Sequence, residues 1–88
     1  MFEPGKKYMI CLPQGWVLIG ECVEQSGPFA ARFRRAHYVV RTGGQPWGIL
    51  ASDATTRQTT IFRPIGANGE ALIGSIILWA CEWIGELP

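Results

Sequence analysis

The chain has a single histidine, His37, and its three cysteines, Cys11, Cys22 and Cys81, form no CxxC pair. A zinc site needs close-spaced Cys/His pairs, so no metal site is expected. An odd cysteine count also speaks against a disulfide framework. The thiols are read as reduced, mostly buried small apolar residues, a usage that suits a cytosolic setting. Met1–Ile10 shows no basic-then-apolar leader, and the longest apolar run, Ser75–Cys81, is far too short to span a bilayer. No repeat or low-complexity tract divides the chain, so residues 1–88 are read as one domain, near the lower end of the size at which a core holds without staples. Catalytic chemistry is missing too. His37 has no nucleophile that the sequence pairs with it, and a lone strand histidine is more often structural than catalytic. The loops Gly43-Gly44 and Gly66-Ala67-Asn68-Gly69 lack the following helix and lysine of a phosphate loop. Neither an enzyme nor a cofactor is expected.

What the chain does have is apolar bulk. Hydrophobic residues make up 48%, with four tryptophans and four phenylalanines, which argues against disorder. For so short a chain the excess suggests that some apolar surface is buried between subunits. Charge is unevenly laid out. Between Gln25 and Gly69 six arginines, Arg32, Arg34, Arg35, Arg41, Arg57 and Arg63, face Asp53 alone, while the two ends carry the glutamates; the net charge is only +1. Such polarity suits a polyanion partner, or oppositely charged faces meeting between subunits.

Glycine and proline punctuate the chain at hairpin intervals. Strands are expected at Lys7–Leu12, Trp16–Glu24, Phe29–Arg41, Trp47–Ala51 and Gln58–Ile65, and Glu70–Trp83 is read as strand, break and strand with the break at Gly74. Alternation puts Trp16, Leu18, Gly20 and Cys22 on one side of the second strand and Val17, Ile19, Glu21 and Val23 on the other. Both sides are largely apolar, so this strand is covered on both. In the third strand Phe29, Ala31 and Phe33 face the core, and Arg32 and Arg34 the opposite way; Arg34 and Arg35 diverge unless a bulge intervenes. The expected fold is all-β, a small, strongly bent barrel of about five strands.

Gln14-Gly15-Trp16-Val17-Leu18-Ile19-Gly20-Glu21-Cys22-Val23 resembles the first motif of Sm-like proteins (the Sm, LSm and Hfq barrels), a polar-Gly turn, a second Gly five residues on and a small apolar core residue two further. Phe33-Arg34-Arg35-Ala36 continues the likeness, and Leu72-Ile73-Gly74-Ser75-Ile76-Ile77 is similar to the second motif, two strands meeting at a Gly-containing turn. Small phage-encoded barrels of the superfamily share an Arg-rich third strand. The resemblance implies an SH3/Sm-like five-stranded barrel whose subunits join edge to edge into a cyclic homo-oligomer. The chain departs from the family at its uridine pocket, where Ser26, Pro28 and Ala30 replace the Asp, the aromatic and the Asn. The second motif's Arg before Gly74 and the N-terminal helix are also missing, so the usual uridine pocket is not expected.

The candidate binding residues are Arg32, Arg34 and Arg35, with Tyr38 and Trp47 as stacking platforms and Gly74 of the second motif. Two readings stay open. The arginines hold a polyanion, RNA or a nucleotide-like ligand, around a ring; or they are a solvated face, or pair with Glu21, Glu24 or Glu82 across a subunit contact. The second reading makes the protein a structural or interaction module, of a phage-encoded kind, that binds no nucleic acid. Neither involves a membrane. The cysteine reading has its own check: the intact mass of non-reduced protein should show all three thiols free, and a mass lower by two protons would contradict it.

Overall fold

The computed structural model describes residues 2–27, 30–74 and 76–88. Pro28 of the second turn and the uridine-pocket comparison, Phe29 at the start of the third expected strand, and Ser75 of the second motif lie outside the described residues.

Among the described residues six strands form one antiparallel sheet: β1 (Lys7–Cys11), β2 (Val17–Gln25), β3 (Ala31–Arg41), β4 (Ile61–Pro64), β5 (Ala71–Ile73) and β6 (Trp79–Glu82). The hydrogen-bonded order is β4-β3-β2-β1-β6, with β5 on the same edge of β3 as β4. The protein is therefore all-β with little helix, as expected. The expected closure into a barrel is not seen: the sheet stays open, with β6 at one edge and β4 and β5 at the other.

β3 is bent, and the bend organises the sheet. Its N-terminal half pairs with β5 (Ala31↔Ile73, Phe33↔Ala71) and its C-terminal half with β4 (His37↔Pro64, Val39↔Phe62). Between them Arg35 has φ 53°, the left-handed region that a side chain resists at about 1–2 kcal/mol. Against β2 the register slips there, Ile19 pairing with His37 but Glu21 with Arg34, so that Arg35 and Ala36 together oppose Gly20. Strict alternation would have pointed Arg35 inward after Ala31 and Phe33. The bulge instead leaves it exposed and buries Ala36. Gly20 makes room for this, since a Cβ on it would sit 3.3 Å from the Phe33 Cβ and 3.4 Å from that of Ala36.

The sheet carries apolar side chains on both faces. Met9, Cys11, Val17, Ile19 and Val39 belong to one cluster, and Ile10, Leu18, Cys22, Phe33 and Ala36 to the other. The alternation expected for the second strand is observed over Val17–Cys22; Trp16 precedes β2, and a register shift interrupts the pattern at Val23. Both faces, however, are covered from within the chain. Leu50, Ala51, Trp83 and Leu87 close the first cluster, Phe2 and Ile73 the second. The two-faced apolarity of β2 thus needs no partner subunit to explain it.

Three expected elements differ. The strand expected at Gln58–Ile65 is shortened to β4, Ile61–Pro64, because Gln58 and Thr59 turn the chain. Trp47–Ala51 is not a strand but most of a short helix, α1 (Trp47–Ser52). Pro46 precedes it and its carbonyl accepts from Leu50 N–H at 2.9 Å, and the helical spacing of Trp47, Leu50 and Ala51 turns all three toward the first cluster. A 3₁₀ turn, Ala54–Thr56, follows, with Asp53 as its cap. The break at Gly74 is also longer than expected, because β5 ends at Ile73 and β6 starts only at Trp79.

Filling the space opposite the bulge should unsettle both halves of the sheet. Gly20→Val should lower stability by about 1–3 kcal/mol, the usual cost of overpacking, in urea unfolding followed by tryptophan fluorescence. An unchanged midpoint would contradict the close approach.

Candidate polyanion-binding face

The arginine strand is spoken for. Arg34 donates to Glu21 at 2.8 Å and Arg32 to Glu24 at 3.3 Å, each with its direct cross-strand partner on β2. Both lie on the face away from Ala31 and Phe33, as alternation implies. Their carboxylates come from the same chain, not from a neighbouring subunit. The Arg32–Glu24 pair is open to water on both sides, and such pairs contribute about 0.2–1 kcal/mol; Arg34 is solvated too, but its partner Glu21 is only 17% exposed.

Arg35 goes elsewhere. Its guanidinium donates to the Leu87 carbonyl at 3.3 Å. That bond is one of four from side chains that hold the segment after β6, beside the main-chain bonds of Trp83 N–H to Lys7 and Ile84 N–H to Ala51. Arg57 donates to the Ile84 carbonyl at 2.5 Å, Lys7 to that of Gly85, and Trp83 Nε1 to that of Glu86 at 3.1 Å. Four successive carbonyls are thus each taken by a side-chain donor, which fixes Trp83 and Leu87 in the first cluster. Arg57 is the hub. It also donates to the Leu50 and Ala51 carbonyls at 2.8 and 3.0 Å, groups at the end of α1 with no partner inside the helix, and it stacks over the Trp83 ring at 3.5 Å. Burial pushes its pKa below the ordinary guanidinium value, partly offset by Asp53, but it remains charged.

Gly74 directly follows β5, in open surroundings. That strand pairs with the N-terminal half of β3, whereas Tyr38 lies on the C-terminal half, so the two are not brought together by the ladder.

Tyr38 does gain company. The exposed Trp16 packs against it with ring centroids 5.1 Å apart, and Arg63 stands directly across the ladder. Gly15, Trp16, Tyr38, Val40 and Arg63 line a groove of about 440 Å³. A second groove, about 700 Å³, adjoins it through Gly15, Val39 and Val40 and is lined further by Arg41, Thr42–Gly44, Trp47, Thr59 and Ile61. Its wall is tight: Gly43 has φ 72°, and a Cβ there would collide with Thr59. Neither groove has an acidic residue in its lining, and no carboxylate lies within ion-pair distance of Arg41 or Arg63 among the described residues.

Acid–base or nucleophilic chemistry has little to draw on. Burial pushes the Cys22 and Cys81 thiols above their ordinary pKa, so both stay protonated and poorly nucleophilic at neutral pH. All three cysteines are free. Among the described residues no three His, Cys, Asp or Glu side chains gather as metal ligands would, and no helix is long and apolar enough to cross a membrane. The Thr55 hydroxyl and N–H hold Asp53 below its usual carboxylate value. The cap it makes is therefore intact above the ordinary Asp range and weakens as pH falls through the lowered pKa.

No family model, curated protein or solved structure matches the chain.

Sequence reading missed Trp16, Arg41 and Arg63 as a group. Alternation assigned Trp16 to the same side as Leu18, but Trp16 precedes β2, directly after the turn glycine Gly15, where the sheet no longer covers it. An aromatic flanking a turn glycine was the available signal. Arg41 and Arg63 were visible only as part of the charge surplus.

The arginines should separate sharply in stability. Arg57→Lys keeps the charge but not the planar fork, leaves the Leu50 and Ile84 carbonyls without their donor (that of Ala51 keeps Ile84 N–H), and should cost roughly 2 kcal/mol or more. Arg32→Gln, which breaks only the solvent-exposed pair with Glu24, should cost less than about 1 kcal/mol. Urea midpoints measured side by side check this, and equal effects would contradict the clasp.

Proposed function

We propose that the chain is a non-enzymatic, Sm-like module that binds RNA or a nucleotide-like polyanion, in a ring of identical subunits. The observation that carries the binding reading is the pair Arg41 and Arg63: exposed, without an acidic partner among the described residues, and lining adjoining grooves with no carboxylate. Unpaired arginines engage phosphate without first breaking an ion pair, which Arg32 and Arg34 would have to do. The binding face therefore moves from the start of β3 to its end and to β4, with Tyr38 kept from the original set.

Support for the Sm-like reading comes from how the motif residues are used. Gly15 turns the chain with φ 84°, Gly20 admits the bend, Cys22 is buried, and Phe33 and Ala36 point inward around Arg34 and Arg35. A ring is favoured by the open edges at β5 and β6 and by Leu72 and Ile76, which are 80% and 75% exposed. The free thiols suit a reducing, cytoplasmic compartment. The exposed apolar edge also favours a second reading, a structural module that assembles but binds no nucleic acid.

Anisotropy titrations of a labelled mixed-sequence single-stranded RNA at 50–200 mM salt separate the two. Binding should weaken steeply with salt. Replacing both Arg41 and Arg63 by Gln should flatten the log–log slope by roughly 1.4, about 0.7 per lost phosphate contact, while the same change at Arg32 and Arg34 should barely alter it. No binding at low salt would leave only the structural reading. Light scattering on the same samples should give a mass of several subunits, and a monodisperse monomer at micromolar concentration would contradict the ring.

A further inference from the structure

The two grooves share Gly15, Val39 and Val40, so the end bearing Trp16, Tyr38 and Arg63 runs into the end bearing Arg41. Trp16 is 56% exposed, yet its ring is held at 5.1 Å and 50° against Tyr38. One side of the indole is fixed by protein and the remainder is open. Val40 and Ile61, each about half exposed, extend the apolar surface beside it. A purely electrostatic site gains nothing from a propped, water-facing tryptophan on an apolar floor, whereas a flat aromatic ligand does. Arg63 faces Tyr38 across the β3–β4 ladder, placing the root of its side chain roughly 5 Å from that of Tyr38. Arg41 lies three residues further along β3, roughly 10 Å away at the ordinary strand rise.

We propose that this surface recognises a nucleotide unit, with the base stacked on Trp16, its phosphate on Arg63, and the next phosphate of a strand on Arg41. The inference rests on the polyanion reading above and adds to it a requirement for the base.

Inorganic polyphosphate carries the charge without bases, and so separates the two. In competition against a labelled single-stranded oligonucleotide, the full chain should prefer an unlabelled oligonucleotide to polyphosphate of equal charge by about ten-fold or more. Trp16→Ala should weaken oligonucleotide binding about five-fold or more and leave polyphosphate binding within two-fold, while Trp16→Phe should restore most of the loss. Because Trp16 is largely exposed, the thermal midpoint of each variant should stay near that of the parent. A mononucleotide competing as well as the strand would assign the site to free nucleotides and overturn the role given to Arg41; a mononucleotide weaker by ten-fold or more supports the strand. Equal binding of oligonucleotide and polyphosphate, unaffected by Trp16→Ala, would overturn the stacking while leaving polyanion binding in place. Failure of both ligands to bind at low salt would remove both.

Discussion

The structure depends on one bend. β3 serves two different neighbours, β5 with its first half and β4 with its second, and it does so because Arg35 takes a left-handed conformation opposite a residue without a side chain. The local backbone cost is offset by what the bulge secures. Ala36, not an arginine, enters the second cluster, its N–H donates to the Gly69 carbonyl at 2.7 Å, and its carbonyl accepts from Ile65 N–H at 3.0 Å. A turn that would otherwise cross the surface is thereby tied to the point of greatest curvature.

The same bend sorts the arginines. Those before it, Arg34 and Arg32, stand opposite Glu21 and Glu24 on either side of a second register shift in β2, and they are neutralised in place. The one at the bend is thrown outward and holds the Leu87 carbonyl. Beyond it, the shifted phase turns Tyr38 toward Trp16 and sets it across from Arg63. A cluster of charge that is continuous in sequence thus serves three different purposes. The cation surplus available to a ligand lies at the end of the strand, not at its start.

Much of the fold could be read from residue order. The glycine turns at Gly15 and Gly69, the first three strands and the two apolar faces of β2 followed from turn chemistry and alternation. The helix at Trp47 did not, because over six residues an i, i+3, i+4 spacing is hard to tell from a buried strand, and only Pro46 hinted at it. The pairing of Arg34 with Glu21 lies between two register shifts of β2 against β3, and each shift changes which side chains meet. The open sheet was hidden for another reason. Its first cluster is closed by Trp83 and Leu87, and these are anchored by side chains gripping main-chain carbonyls, contacts that leave no periodic trace. Of the candidate site, Tyr38 was legible as an aromatic near arginines; its partners Trp16 and Arg63 come from other strands and meet it only through the bend.

Arg35 and Ala36 form a bulge opposite Gly20, and the two-sided pairing of β3 follows from it. Backbone NMR on labelled protein tests it most directly, through nuclear Overhauser contacts around Gly20 and hydrogen exchange at Ala36. A strong contact between the Gly20 α-protons and the Ala36 methyl, with the Ala36 amide among the slowly exchanging core amides, is the predicted result. Unbroken one-to-one pairing of β2 with β3 through Gly20, or an Ala36 amide that exchanges like an open loop, would contradict it.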